Sequence, residues 1–234
     1  MRWAVILVAL LCGLMSTSAI AEQNVDPDIG PDIGMDADDW ALTDPRDPFE
    51  GWNRAVYRFN DGLDRAVVQP VARGYNAVVP APINKGITNF FRNLSAVGSA
   101  FNNLLQLKIP QAINEFGRVA VNTTLGVFGV MDVATELGVP RNDEDLGQTF
   151  AHIGAGPGPY LVMPFIGPTT ARDLSGWVLD WRLDPLYYVN DNAIAWGAEG
   201  ISLVDRRADL LKATDLLDGA ALDPYAFVKD AYLQ

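Results

Sequence analysis

Histidine and cysteine are nearly missing from this chain: among 234 residues there is one of each, His152 and Cys12. A zinc site draws several ligands from these two types, so none can be assembled from them here. One cysteine also rules out a disulfide within the chain. No G-x-S-x-G elbow presents a serine nucleophile, and no G-x-x-x-x-G-K-[ST] loop cradles phosphate. GAGPGP at 154–159 looks like a dinucleotide fingerprint only superficially, because Pro157 and Pro159 interrupt it and no strand–helix unit surrounds it. His152, beside that glycine-rich loop, suits a packed or capping role, and it is the one residue on which a hydrolytic reading could rest. No catalytic residue, metal ligand or cofactor site is assigned. The charge is wrong for nucleic acid as well: the net is −12, with no surface of interleaved basic and aromatic residues. Beyond the N-terminal segment no stretch reaches the roughly 20 apolar residues of a simple membrane-spanning helix.

What is present begins with a signal peptide over residues 1–21. Arg2 supplies the positive region, Ala4 to Met15 the apolar stretch, and Ala19-Ile20-Ala21 the cleavage motif before Glu22. Cys12 lies inside this segment. A bulky Leu11 stands before it where lipoprotein processing needs a small residue, so the expectation is cleavage after Ala21 without lipidation at Cys12. Residues 22–50 then carry ten acidic residues against Arg46 alone, whereas 51–234 carry 19 against 15 basic ones. The segment 22–46 reads as an acidic flexible leader; its alternating aspartates lack the spacing of a calcium loop.

The remainder, 47–234, is long enough for one domain and reads as all-α. DPFEGWNRAVYRFN at 47–60 starts a helix that Asp47 is expected to cap, with Pro48 in its first turn. Phe49, Trp52, Val56 and Phe59 recur at helical spacing and Leu63 extends them, while Arg54, Arg58, Asn60 and Asp61 fall off that stripe. The stripe fits either a core-facing helix or an apolar face turned toward lipid. Pro70, Pro82, Pro110 and Pro224 mark further helix starts, with others over 169–181 and 192–212, and the Asp143–Asp145 cluster marks another. Strand-like alternation is nearly absent. Two segments do not suit a plain bundle. VAVNTTLGVFGVM at 119–131 is apolar, with Gly126 and Gly129 expected to loosen it. GAGPGPYLVMPFIGP at 154–168 has too much glycine and proline for a helix. It fits either a buried irregular loop or a segment resting among lipid headgroups or lining an apolar passage.

DPFEGWNRAVYRFN, VNTTLGVFGVMDVA at 121–134, LGQTFAHIGAGPGPYLVMPFIGPTTARD at 146–173 and the C-terminal DPYAFVKDAYLQ together resemble the MlaA (VacJ) family of outer-membrane lipid-asymmetry proteins. The resemblance runs from about Asp47 to Gln234. It implies a ring-like, donut-shaped arrangement of short amphipathic helices around a central channel, sunk in the periplasmic-facing leaflet of the outer membrane. It implies a function in intermembrane phospholipid transport, in which phospholipids strayed into the outer leaflet pass through the channel. The partners it implies are a trimeric outer-membrane porin and a periplasmic lipid carrier of the MlaC type. A porin adaptor or, with His152 as base, a phospholipase are the alternatives. By resemblance, Asn60 and Asp61 fall where the family's channel gating depends on local geometry, Asp61 replacing an aromatic found in some relatives. Gly154, Gly156, Gly158, Pro159 and Tyr160 match the flexible segment beside the channel. Phe49, Trp52, Phe59, Phe128 and Phe165 are the expected membrane-facing residues.

Mass spectrometry of the mature protein is expected to find Glu22 at the N-terminus and no acyl group. An acylated Cys12 contradicts that assignment.

Overall fold

The computed structural model describes residues 44–220 and 223–234; Cys12, Ala21, Glu22 and most of the leader lie outside the described residues. Helix α1 (Glu50–Leu63) runs through a π-helical turn (Asp64–Val68) directly into α2 (Gln69–Val78). Pro70 therefore does not start a separate helix. It lacks an amide hydrogen and crowds the carbonyl four residues back, and the widened turn just before it accommodates that. Then come α3 (Ala81–Leu105), α4 (Ile109–Thr124), α5 (Val133–Glu136) and α6 (Leu146–His152). Strands β1 (Tyr160–Met163) and β2 (Gly167–Thr170) follow, then α7 (Ala171–Asp180), a 3-10 turn (Pro185–Tyr188), α8 (Asn192–Ala220) and α9 (Pro224–Leu233).

Most helix starts carry the chemistry read from the sequence. Pro82, Pro110 and Pro224 lie in first turns, Asp145 accepts from the Gln148 amide, and Asp223 accepts from the Ala226 amide. Asp47 is the exception. It does not cap α1, whose N-cap position is Phe49. Its fully buried carboxylate accepts instead from Asn53 Nδ2 at 2.7 Å and from the Tyr225 hydroxyl, tying the start of the domain to its last helix.

The fold is helical as expected, with one short hairpin beside the helices. Tyr160 pairs with Thr170 and Met163 with Gly167 in an antiparallel hairpin, so the 154–168 segment is not irregular throughout. The outer edge of β1 is not left open. Asn53 donates to the Tyr160 carbonyl at 3.0 Å and accepts from the Val162 amide at 2.8 Å. Asn60 donates to the Met163 carbonyl at 3.0 Å and accepts from the Phe165 amide at 2.9 Å. One side-chain amide carries the donor and acceptor of a peptide unit, so two asparagines spaced seven apart serve β1 as a neighbouring strand does. Tyr160 and Val162 then pack with Val56 and Tyr225 in a small apolar cluster.

The face of α1 that turns inward is thus Asn53, Val56 and Asn60. Of the aromatic stripe only Val56 is buried, and Phe49, Trp52 and Phe59 are about half exposed. The same inversion runs through the molecule. Of 14 buried hydrophobic residues among those described seven are alanine, and 15 polar or charged residues are buried beside them. Most of those polar groups are paired, as burial requires, although Asn103 Oδ1 and Glu115 Oε2 meet no partner among the described residues. Asp205 on α8 accepts from Tyr75 of α2 and Thr88 of α3. Arg118 of α4 holds Asp132 at 2.9 Å, Thr135, and the Val139 carbonyl. Gly126 and Gly129 do not loosen 119–131; they permit close approach. A Cβ on Gly126 would stand 2.1 Å from the Met131 carbonyl oxygen, and one on Gly129 2.7 Å from the Asn93 amide nitrogen.

Replacing Asn53 by alanine strands the Val162 amide, the Tyr160 carbonyl and one oxygen of Asp47. The expected loss is about 2–3 kcal/mol, against about 1 kcal/mol for Asn60→Ala at the more accessible tip. Thermal unfolding of the two variants in detergent checks the order.

Candidate functional site

A large, partly open cleft of about 780 Å³ lies among the described residues. Helix α3 forms its longest wall. Thr88, Arg92, Ser95, Ser99 and Asn102 follow one another at alternating steps of four and three, which places a polar ribbon along one side of the helix. Residues 141–145 and the start of α6 close one side. The end of α7 supplies Trp177, Asp180 and Trp181, and α8 supplies Glu199, Asp205, Arg206 and Asp209. The two indoles stack with centroids 5.5 Å apart and planes 25° apart. Phe91, Leu94 and Leu183 join them, so the lining mixes apolar and polar groups.

Its electrostatics are lopsided: eight carboxylates face three guanidiniums. Several of the acids also hold the walls. Asp180 accepts from the Leu146 amide at 2.7 Å and Asn102 Nδ2 at 2.9 Å; burial raises its pKa, and these two bonds oppose the rise. Burial likewise pushes up Glu144, but Lys108 at 2.6 Å and Gln106 outweigh it and hold the carboxyl below its ordinary value. Glu199 is raised, first by desolvation and then by the neighbouring charge of Asp184. No three His, Cys, Asp or Glu side chains among the described residues converge as metal ligands.

The residues expected beside a channel gather elsewhere, around the hairpin. Asn60 holds its tip, while Asp61 at the surface pairs with Arg65 at 2.9 Å one turn on. Gly154 and Gly158 have φ of +94° and +68°, and Gly156 has open space around a built Cβ. The Pro159 carbonyl accepts from the Ala171 amide, anchoring the loop to α7. Tyr160 is wholly buried, and desolvation followed by the Asp47 charge pushes its hydroxyl up to about 12. His152 is exposed at the end of α6.

Phe49, Trp52, Phe59, Phe128 and Phe165 are all at the surface, Phe128 and Phe165 about three-quarters exposed. Phe59 and Phe165 meet edge to face at 5.5 Å. Four bulky apolar residues, Leu107, Val127, Phe128 and Phe165, have positive φ, and all four are exposed. Left-handed backbone is costly for such side chains. The four-and-three spacing of polar residues along α3 is the sequence signal that corresponds to this wall.

The family profile of the MlaA lipoproteins matches residues 45–234. An Escherichia coli protein, the "Intermembrane phospholipid transport system lipoprotein MlaA", is 37% identical over 200 residues, covering 80% of this chain and 76% of that one. Its Haemophilus influenzae namesake is 33% identical over 198 residues, covering 82% and 78%. A Rickettsia felis protein of unassigned function is 34% identical over 232 residues, covering 99% and 91%. A solved structure reported under "Structural basis for maintenance of bacterial outer membrane lipid asymmetry" superposes with a TM-score of 0.70 at 36% identity, covering 80% of this chain and 96% of that one.

Gly156→Ala is expected to leave the thermal midpoint unchanged. Gly158→Ala is expected to lower stability by about 1–2 kcal/mol, because a side chain at positive φ is strained and its Cβ would meet Ala171 Cβ at 3.1 Å.

Proposed function

The chain belongs to the MlaA lipoprotein family, and from that premise we propose that it withdraws misplaced phospholipid from the outer leaflet of the outer membrane for intermembrane transport. The observation that carries this reading is the inverted distribution of polarity. Thirty-four large hydrophobic side chains of the described residues are exposed, and the large cleft is lined by many polar and charged groups beside its apolar ones. In water such an outside is an association hazard; against acyl chains it is a solvated surface. No described helix is long and apolar enough to cross a membrane. The proposed seat is therefore a partial one, in the periplasmic-facing leaflet, with each helix satisfying its own amides.

On this reading the helices close into a ring around the cavity. The polar ribbon of α3 and the indole pair meet the headgroup, and Phe91 with the aliphatic lining meets the tails. The cavity volume falls in the range of small-ligand sites. Flow follows the chemical potential of the lipid, set by a periplasmic carrier of the MlaC type that removes it. A trimeric porin holds the ring in place. No bond in the lipid is broken. The hairpin clamped by Asn60, with the loop from Gly154 to Pro159, is the proposed gate, and Gly156→Pro is the variant that stiffens it without removing a hydrogen bond from the fold.

Deleting the gene is expected to raise phospholipid in the outer leaflet, and restoring the wild type to return it to normal. Ser95→Trp places an indole in the cavity from an exposed wall position. It is expected to reach the membrane at normal abundance and fail to restore asymmetry. Full restoration by Ser95→Trp removes the cavity from the route.

A further inference from the structure

The headgroup of a phospholipid carries a phosphate anion, and the common classes differ in the group esterified to it. An ethanolamine adds an ammonium and brings the net charge to zero, whereas a glycerol leaves a net negative charge. A cleft with low-dielectric walls magnifies the difference between them.

Most carboxylates in this cavity are committed to the fold. Asp143 holds Arg141, Asp145 caps α6, Asp180 holds Leu146 and Asn102, Asp205 holds Tyr75 and Thr88, Glu144 holds Lys108, and one oxygen of Asp184 accepts from the Leu186 amide. Glu199 is set apart. It lies half-buried on α8 among Asp184 and Arg206, and desolvation raises its pKa, which marks a charge short of solvation. The stacked Trp177–Trp181 pair lines the same cavity, with Trp177 about two-fifths exposed. Indole faces attract ammonium ions, most strongly where water is scarce. Neither Arg92 nor Arg206, both in the wall, closes an ion pair among the described residues. The acids do not converge as metal ligands. Separated carboxylates, an indole surface and available guanidiniums match a zwitterion better than a metal ion.

Resting on the transport reading above, we infer that the cavity selects phospholipids whose headgroup bears a cationic amine over those with a net negative headgroup. Glu199, Asp184 and the Trp177–Trp181 stack receive the ammonium, and Arg206 or Arg92 receives the phosphate.

The test uses the full chain reconstituted in donor vesicles, with fluorescent phosphatidylethanolamine or phosphatidylglycerol of identical acyl chains and acceptor vesicles at 0.15 M salt. The expected preference for the ethanolamine lipid is about two- to fivefold, the worth of one modest cation–π or charge contact. Glu199→Gln narrows the ratio and Glu199→Lys reverses it, each variant first shown by circular dichroism to be folded. Equal transfer of both lipids, or a preference that Glu199→Gln and Glu199→Lys leave alone, overturns the inference while transport itself stands. Transfer of neither lipid by the folded wild type overturns the transport reading and this inference with it. Soluble phosphoethanolamine is the competitor that separates a lipid passenger from a free phosphoamine. Lipid transfer persisting in its excess supports the lipid, and complete displacement assigns the site to the soluble molecule and overturns the inference.

Discussion

The amide of Asn53 is the contact on which the rest of this structure leans. It reaches β1 through both of its functions and Asp47 through the second of its hydrogens, and Asp47 in turn holds Tyr225 of the last helix. A single side chain thus joins the first helix, the hairpin and the C-terminus. A hairpin of two four-residue strands is too small to persist alone in water. Here its exposed edge is satisfied by asparagines rather than by a third strand, so it persists as part of α1. Apolar packing on the other side is thin: Val56, Tyr160, Val162 and Tyr225.

This economy of apolar contact is general in the molecule. Alanines such as Ala72, Ala96, Ala100, Ala112 and Ala208 occupy the buried positions where leucine would stand in an ordinary helical core. Small side chains let helix backbones approach closely, and close approach lets short polar side chains such as Asn102, Asn103 and Thr149 bridge them. Hydrogen bonding then carries specificity that burial of large groups carries elsewhere. Large side chains are free to face outward, including the four that hold costly left-handed backbone. Such strain persists only where the surroundings over-determine it, and in Phe165 those surroundings are the Asn60 clamp and the edge of Phe59.

The helices were legible because their signals are local. Proline in a first turn and an aspartate with a free amide three residues on act the same way in any environment, as Asp145 and Asp223 illustrate. The orientation of α1 was not legible. Periodicity tells which face is apolar, not which medium meets it, and here the inward side carries Asn53 and Asn60. The hairpin escaped for a related reason: four-residue strands, flanked by Pro159 and Pro164 and with Pro168 inside the second, offer too short a run of alternation, and their stabilising partner lies more than a hundred residues earlier. Asp47 stood where a cap stands, yet a long-range tyrosine outcompeted the local amides for its carboxylate. The cavity was least visible, since small polar residues in a helix usually mean only a solvated back.

One feature of the first long helical rod shapes its outer surface. At about 100° per residue, Val71 and Val78 in an unbroken α-helix would point about 80° away from the mean direction of Phe49, Trp52 and Phe59. The wide turn at Asp64–Val68 accommodates one extra residue and turns everything after it back by about the same 100°. The two valines then fall within about 20–30° of the aromatics. A residue that looks like a flaw in the winding brings two stripes into phase, so that the rod shows one uninterrupted greasy flank along its length.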